Sequence, residues 1–132
     1  MSVLFDPADD LVIVEVNVFG PHQSTVLRLA VDTGAVVTLL THDALDLLGY
    51  GARDGYARTT ITTTAGKEPG YLLRVRRLIV FEQEFADVPI HAHDLVDTQG
   101  LHGLLGLDVL RRFHVEFRFD EGVLRAEPAG PA

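Results

Sequence analysis

The chain has 132 residues, which is the length of one domain, and 47% of them are hydrophobic, which excludes a wholly disordered protein. It contains no cysteine, and this excludes disulfides, zinc–thiolate sites and thiol nucleophiles. With 11 basic and 19 acidic residues, the formal net charge is −8, which argues against binding nucleic acid or an anionic membrane by bulk electrostatics.

No targeting or membrane-spanning segment is predicted from the sequence. Residues 1–7 have no basic n-region and no long apolar stretch. No apolar run approaches the roughly 20 residues that a bilayer-spanning helix needs. We therefore expect no membrane partner, no nucleic-acid partner and a cytoplasmic location.

The hydrophobic pattern is mostly that of β-strands. Residues 11–19 alternate valines with polar residues such as Glu15 and Asn17, which is typical of a half-buried strand. Phe113, Phe117 and Phe119 alternate with charged or polar residues in the same way, and we expect all three to face the core. The predicted strands are residues 11–19, 25–31, 36–40, 58–64, 71–81, 85–91, 113–119 and 123–126.

Two short helices and several turns separate these strands. Thr41 is the predicted N-cap of a helix at residues 42–48, and Gly49 is its predicted stop. A second short helix is predicted at residues 107–112. The remaining segments are predicted as a turn at residues 65–70, a loop at 94–102 and a frayed tail from residue 127.

The regular spacing of short strands predicts the fold class. We expect a mainly β protein, namely a small closed or partly closed β barrel with one or two short helices. No linker or second composition type interrupts the chain. The prediction is therefore a single domain over residues 1–132, with its core at about residues 10–127 and a flexible tail at 128–132.

Asp32 is the residue that points to chemistry, because it stands between two apolar segments. Residues 29–31 precede it and residues 36–40 follow it, so the loop is held from both sides. Gly34 has no Cβ and allows a close approach of backbone or ligand, and the hydroxyl of Thr33 can fix the loop. A carboxylate on so rigid a loop suits proton transfer. The alternative is an Asx-type turn without chemistry.

A second segment strengthens the chemical interpretation. Leu104, Leu105 and Gly106 form an apolar-apolar-glycine run directly before the second predicted helix. Together with residues 31–35, this run resembles the retropepsin-like aspartic proteases. The elements follow that family's order over about residues 11–126.

The resemblance implies a role for each of these residues. Asp32 would be the catalytic residue, and Thr33, Gly34 and Ala35 would support the active-site loop. In the family, the apolar-apolar-glycine segment threads through the turn of this loop. The implied fold is a small closed acid-protease-type β barrel with a flap hairpin, here at residues 59–73.

The implied activity needs a partner chain but no cofactor. Such proteins act as homodimers in which each chain gives one aspartate, and the paired carboxylates activate a water against a polypeptide substrate. The implied mechanism requires neither a cofactor nor a metal ion. Thr64, Ala65 and Gly66 stand at the flap tip as candidate substrate contacts.

The sequence contains no convincing second catalytic loop. Asp97 and Thr98 are followed by Gln99 before Gly100, and their flanks are polar. We therefore expect the partner of Asp32 to be Asp32 of another subunit.

One position departs from the viral pattern. Viral members often carry an acidic or polar residue directly after the alanine of the loop, and this chain has Val36. The chain thus resembles the cellular and bacterial members more closely than the viral ones.

Two alternatives remain open from the sequence. One is a non-catalytic dimerisation or peptide-binding module of the same fold. The other is a metal-binding β domain, because His91 and His93 share one face of a strand and Asp94 follows them. His102 and His114 would be the further ligand candidates.

Overall fold

Strands dominate the computed structural model, which describes residues 1–63, 66–95 and 100–130. The strands are β1 (Ser2–Leu4), β2 (Ile13–Phe19), β3 (Ser24–Val31), β4 (Leu39–Leu40), β5 (Ala57–Thr63), β6 (Gly66–Val80), β7 (Gln83–Ala92), β8 (Gly103–Leu105), β9 (Phe113–Arg118) and β10 (Val123–Pro128). The helices are α1 (His42–Leu48) and α2 (Leu107–Leu110), and a 3-10 turn covers Ala52–Asp54.

Six of the strands close into a barrel. Their order is β2-β3-β8-β4-β7-β6, and β2 pairs with β6 to complete the ring. The pairs β3–β8 and β4–β7 are parallel and the other neighbours are antiparallel. The predicted fold class, a mainly β closed barrel with one or two short helices, is confirmed, and the number of helices is two in the described residues.

The remaining strands extend this barrel in two ways. β5 pairs only with the first half of β6, so the two strands form a long hairpin from Ala57↔Leu72 to Thr63↔Gly66. β1, β10 and β9 form a separate three-stranded sheet in that order. The hairpin lies where the flap was predicted.

The barrel core contains the residues that the alternation predicts. Val14, Val16 and Val18 on β2 are buried, and β3 contributes Leu27 and Leu29. These side chains pack in one cluster with buried residues of the other four barrel strands and of both helices. Burying a large aliphatic side chain stabilises the fold by roughly 1.5–3 kcal/mol.

Helix α1 begins and ends where the sequence predicts. The Thr41 hydroxyl accepts a hydrogen bond from the Ala44 N–H at 3.3 Å. Gly49 ends the helix with φ +97°, a left-handed conformation that glycine adopts without a Cβ clash. The helix buries Ala44, Leu45 and Leu48 against the core.

Two predicted segments near the site differ in extent. The strand predicted at residues 36–40 is only Leu39–Leu40, since Val36 is 73% exposed and its carbonyl bonds α2 instead of a strand. The turn predicted at residues 65–70 is wrong over Gly66–Gly70, which belong to β6. Pro69 is tolerated there because this part of β6 pairs on one side only.

The chain ends also differ from prediction. β1 was not predicted, and β10 continues through Glu127 and Pro128, which the sequence placed in a frayed tail. The Met1 ammonium donates to the Ala126 carbonyl and to Glu127. The placement of Phe119 in the core is wrong, because it follows the end of β9 and is 62% exposed.

None of the helices in the described part of the chain has the length and apolar character to cross a membrane. The cytoplasmic location and the division into one domain with a flexible tail stay predictions.

Candidate active site

Asp32 directly follows β3 on a loop whose backbone is tied at both ends. Its N–H donates to the Leu105 carbonyl at 2.9 Å, and its carbonyl accepts from the Ala35 N–H at 3.2 Å. The Gly34 N–H donates to Oδ1 of the Asp32 carboxylate at 2.8 Å. Oδ2 has no hydrogen bond to any described residue. One carboxylate oxygen is therefore oriented by the loop, and the other is available to a ligand.

The segment from β8 into α2 passes directly against this loop. The Leu107 N–H donates to the Ala35 carbonyl at 2.7 Å, and the Asp108 N–H donates to the Val36 carbonyl at 3.2 Å. A Cβ on Gly106 would lie 2.7 Å from the Ala35 carbonyl oxygen and 2.9 Å from the Val37 carbonyl carbon. Glycine is required there because both neighbours are backbone atoms that cannot rotate away.

Thr38 and Asp108 join the two segments by hydrogen bonds, and neither residue was predicted to do so. The Thr38 hydroxyl donates to Asp108 Oδ1 at 2.8 Å and accepts from the Gly106 N–H at 3.0 Å. The Thr38 N–H donates to the same Oδ1 at 3.0 Å. Thr38 is 1% exposed. A polar residue inside the apolar run 36–40 was the signal available, because a buried hydroxyl needs a partner.

The structure brings the predicted loop residues and the predicted threading residues together. Thr33 and Gly34 are exposed at the tip of the turn, and Ala35 is half-buried. Leu104 and Leu105 lie in β8, where they pair with Ala30 and Val31 of β3. The predicted contact between the Asp32 loop and residues 104–106 is present.

The predicted flap contacts are only partly described. Thr64 and Ala65 lie outside the described residues, as do Asp97, Thr98 and Gln99 of the rejected second motif. Gly66 is exposed and begins β6 with φ +119°. The assignment of Thr64, Ala65 and Gly66 to substrate binding stays a prediction.

The histidines considered for a metal have separate partners. His91 Nε2 lies 2.5 Å from the Thr59 hydroxyl, while His93 Nδ1 lies 2.6 Å from the Asp94 carbonyl oxygen. His102 Nδ1 accepts from the Arg28 N–H at 2.9 Å, and His114 is exposed on β9. Within residues 1–63, 66–95 and 100–130, no three His, Asp or Glu side chains are placed to hold a metal ion.

Two titratable side chains near the base of the β5–β6 hairpin have shifted pKa values, His91 and Tyr71. Burial, together with the neighbouring His93, lowers the pKa of His91 below its usual range. Burial and the carboxylates of Asp46 and Asp54 raise the pKa of Tyr71. His91 is therefore neutral at pH 7 and can accept a hydrogen bond from Thr59.

Comparison with known proteins places this arrangement in context. A family model described as Aspartyl protease matches residues 14–109, a span that contains Asp32 and Gly106. The crystal structure of a retropepsin-like aspartic protease from Rickettsia conorii has a TM-score of 0.67 at 19% identity, covering 94% of this chain and 87% of that chain. The EIAV protease complexed with the inhibitor HBY-793 has a TM-score of 0.62 at 21% identity, covering 83% and 92%. None of the curated proteins matches the chain. The fold is thus shared with solved retropepsin-like structures.

Proposed function

The chain belongs to the aspartyl protease family, as the resemblance predicts, and its class of activity is aspartic-type endopeptidase. On that premise we propose that it acts as a homodimer in which two Asp32 carboxylates, one from each subunit, activate the water that hydrolyses a peptide bond. Retropepsin-like enzymes of this length carry half an active site per chain, so the second copy belongs to the proposal.

The observation that carries the proposal is the fixed position of the Asp32 carboxylate. Its loop is joined to β8 by the Asp32 N–H and to α2 by the Ala35 and Val36 carbonyls. The Gly34 N–H donates to Oδ1, and Oδ2 has no hydrogen bond to the described residues. General acid–base catalysis needs a carboxylate whose geometry is set before the substrate arrives.

The chemistry follows from the proximity of two carboxylates. Two such groups within hydrogen-bonding distance share one proton, because ionising both is costly. The ionised Asp32 takes a proton from water as the water oxygen attacks the peptide carbonyl carbon, and the protonated Asp32 of the other subunit gives its proton to the carbonyl oxygen. The resulting diol collapses when the C–N bond breaks, the amine nitrogen takes up a proton, and acid and amine products leave.

Exposed apolar side chains support association with a second copy. Leu4 on β1 is 80% exposed, and Phe119 beyond β9 is 62% exposed. The Phe119 ring stacks on Phe117 at 5.5 Å and meets Phe5 edge-on at 6.0 Å. Phe5 and Phe117 are half-buried, so Phe119 is the exposed member of this aromatic cluster. Exposed apolar side chains beside such a cluster suit a contact with another chain.

The substrate we propose is a polypeptide in extended conformation. The β5–β6 hairpin would act as the flap and cover it, which excludes water from the reacting bond. Val36 follows the catalytic loop and is 73% exposed. Its apolar side chain therefore offers an uncharged surface beside Asp32.

A peptide-library assay tests the proposal. Wild type should cleave peptides at mildly acidic to neutral pH, and Asp32→Asn should not, while both keep the same unfolding midpoint. Asp120→Asn, which changes an aspartate in the exposed turn after β9, is the matched control and should cleave like wild type. Cleavage that persists in Asp32→Asn would refute the proposal. Peptide binding without cleavage by wild type would instead support the non-catalytic module.

A further inference from the structure

Both arms of the β5–β6 hairpin are held at their base by histidines of one neighbouring segment. On β5, the Thr59 hydroxyl meets His91 Nε2 at 2.5 Å. On β6, the Glu68 carboxylate Oε2 lies 3.3 Å from His93 Nε2. A Cβ on Gly70 would lie 2.8 Å from the Ala92 carbonyl oxygen, so the β6 backbone rests directly on this segment.

The hydrogen bond of His93 to its own neighbour fixes its tautomer. Nδ1 lies 2.6 Å from the Asp94 carbonyl oxygen, which only accepts, so Nδ1 carries a proton. In a neutral imidazole, Nε2 then has a lone pair and no proton. His93 is 4% exposed, and its Nε2 has no hydrogen-bond partner among the described residues.

Nε2 and the Glu68 carboxylate thus lie 3.3 Å apart with no hydrogen bond between them, and both are acceptors while His93 is neutral. Such a pair is repulsive when neither group carries the intervening proton, and it becomes a charge-assisted hydrogen bond when one proton is present. Histidine is the side chain that ordinarily takes up a proton between pH 5 and 8. The contact is thus favourable only while that proton is present.

The other titratable groups nearby have partners of their own. His91 Nε2 has the Thr59 hydroxyl as its partner, and burial with the neighbouring His93 lowers the pKa of His91. The Asp94 carboxylate accepts from the N–H of His42, and His42 Nδ1 lies 3.2 Å from the same oxygen. The Tyr71 ring on β6 meets the His42 ring edge-on at 5.9 Å. Among the described residues, His93 Nε2 is the buried side-chain nitrogen in this group that has no hydrogen bond.

We propose that Glu68 and His93 form a proton-dependent latch that holds the hairpin against the barrel when the proton is present and releases it when the proton is lost. The latch regulates the site through hairpin position, and its role in catalysis rests on the proposed protease function. Glu68 and His93 are positioning residues in this scheme. Hairpin mobility would then rise from pH 5.5 to pH 8.

Amide hydrogen exchange followed by mass spectrometry tests the latch without any turnover. Protection of residues 57–63 and 66–70 is measured in the full chain at pH 5.5 and pH 8 and corrected for the intrinsic pH dependence of exchange. In wild type we expect protection to fall by about tenfold or more, as loss of a charge-assisted hydrogen bond implies.

Glu68→Gln is the decisive variant because its amide N–H can donate to a neutral Nε2. Protection in this variant should be the same at both pH values, and Glu68→Ala should be poorly protected at both. Glu15→Gln, which changes an exposed strand carboxylate on β2, should behave like wild type. Equal corrected protection of wild type at both pH values would overturn the proposal. A Glu68→Gln variant that keeps the wild-type pH dependence would overturn it as well.

Kinetics connect the latch to the site and separate the two proposals. Wild-type KM for a cleaved peptide should rise between pH 5.5 and pH 8 relative to that of Glu68→Gln, with the two kcat values changing in parallel. The exchange result stands whether or not the peptide assay detects cleavage, so failure of the latch and failure of the protease proposal are distinguishable.

Discussion

Thr38 is the residue that joins the Asp32 loop to helix α2. Its hydroxyl bonds Asp108 and the Gly106 N–H, so one buried side chain serves both segments. Asp32 was singled out as a candidate because an aspartate between two apolar segments is a local pattern, and Gly106 because the family resemblance implies its contact with the Asp32 loop. The sequence did not predict the Thr38–Asp108 pair, because the two residues are 70 positions apart and only the fold makes them neighbours.

Thr38→Val should destabilise the protein and slow catalysis. The valine has the shape of threonine but leaves the buried Gly106 N–H without an acceptor, which costs about 1–3 kcal/mol in free energy of unfolding. The loosened loop should also lower kcat by roughly tenfold. Denaturant unfolding and the peptide assay measure the two effects. Thr38→Ser keeps the hydroxyl and should stay close to wild type, and an equal loss in both variants would contradict the hydrogen-bond account.

Among the helices and strands, prediction from the sequence succeeded best where the pattern of apolar and polar residues follows the burial of one face. β2 and α1 agree with prediction because one face of each lies in the core. The prediction failed at Gly66–Gly70, where glycine and proline are typical of turns but pairing with β5 imposes a strand. It also failed for Phe119, since the alternation continues in sequence beyond the end of the buried face.

Gly106→Ala tests whether α2 must approach the Asp32 loop this closely. The added Cβ would meet backbone atoms at 2.7–3.0 Å, so the loop or the helix has to move. We expect peptide cleavage to fall by at least tenfold and the free energy of unfolding to fall by about 1–3 kcal/mol. Gly130→Ala is the control, because a Cβ there meets nothing within 4 Å. Wild-type cleavage by Gly106→Ala would show that the contact does not position Asp32.

For the whole molecule, the sequence predicted a barrel but not how it closes. The closing pair β2–β6 joins Asn17 to Ile79, and β3 meets β8 in parallel over an even longer separation. Such pairings cannot be predicted from a local pattern. The alternation within a strand indicates which of its faces is buried but not which strand lies beside it. The arrangement of the strands around the Asp32 loop was predicted from the resemblance of two motifs to one family, because periodicity alone does not show which strands are neighbours.

Self-association should depend on two exposed apolar residues, Leu4 on β1 and Phe119 directly after β9. Leu4→Asp and Phe119→Asp place a charge on that surface, so the dimer should dissociate at higher protein concentration, with about tenfold weaker association. Sedimentation equilibrium measures the change. Leu47→Asp, on an exposed position of α1 that is 49% accessible, is the control and should associate like wild type. Unchanged association in both sheet variants would place the interface elsewhere.

The most direct test of a shared active site mixes wild type with Asp32→Asn at constant total chain concentration. After subunit exchange, a dimer that needs both carboxylates is active only when both subunits are wild type. An equal mixture should therefore show about one quarter of the wild-type peptidase activity, because activity follows the square of the wild-type fraction. Activity of about one half, falling linearly with the wild-type fraction, would mean that each chain cleaves on its own and would contradict the account.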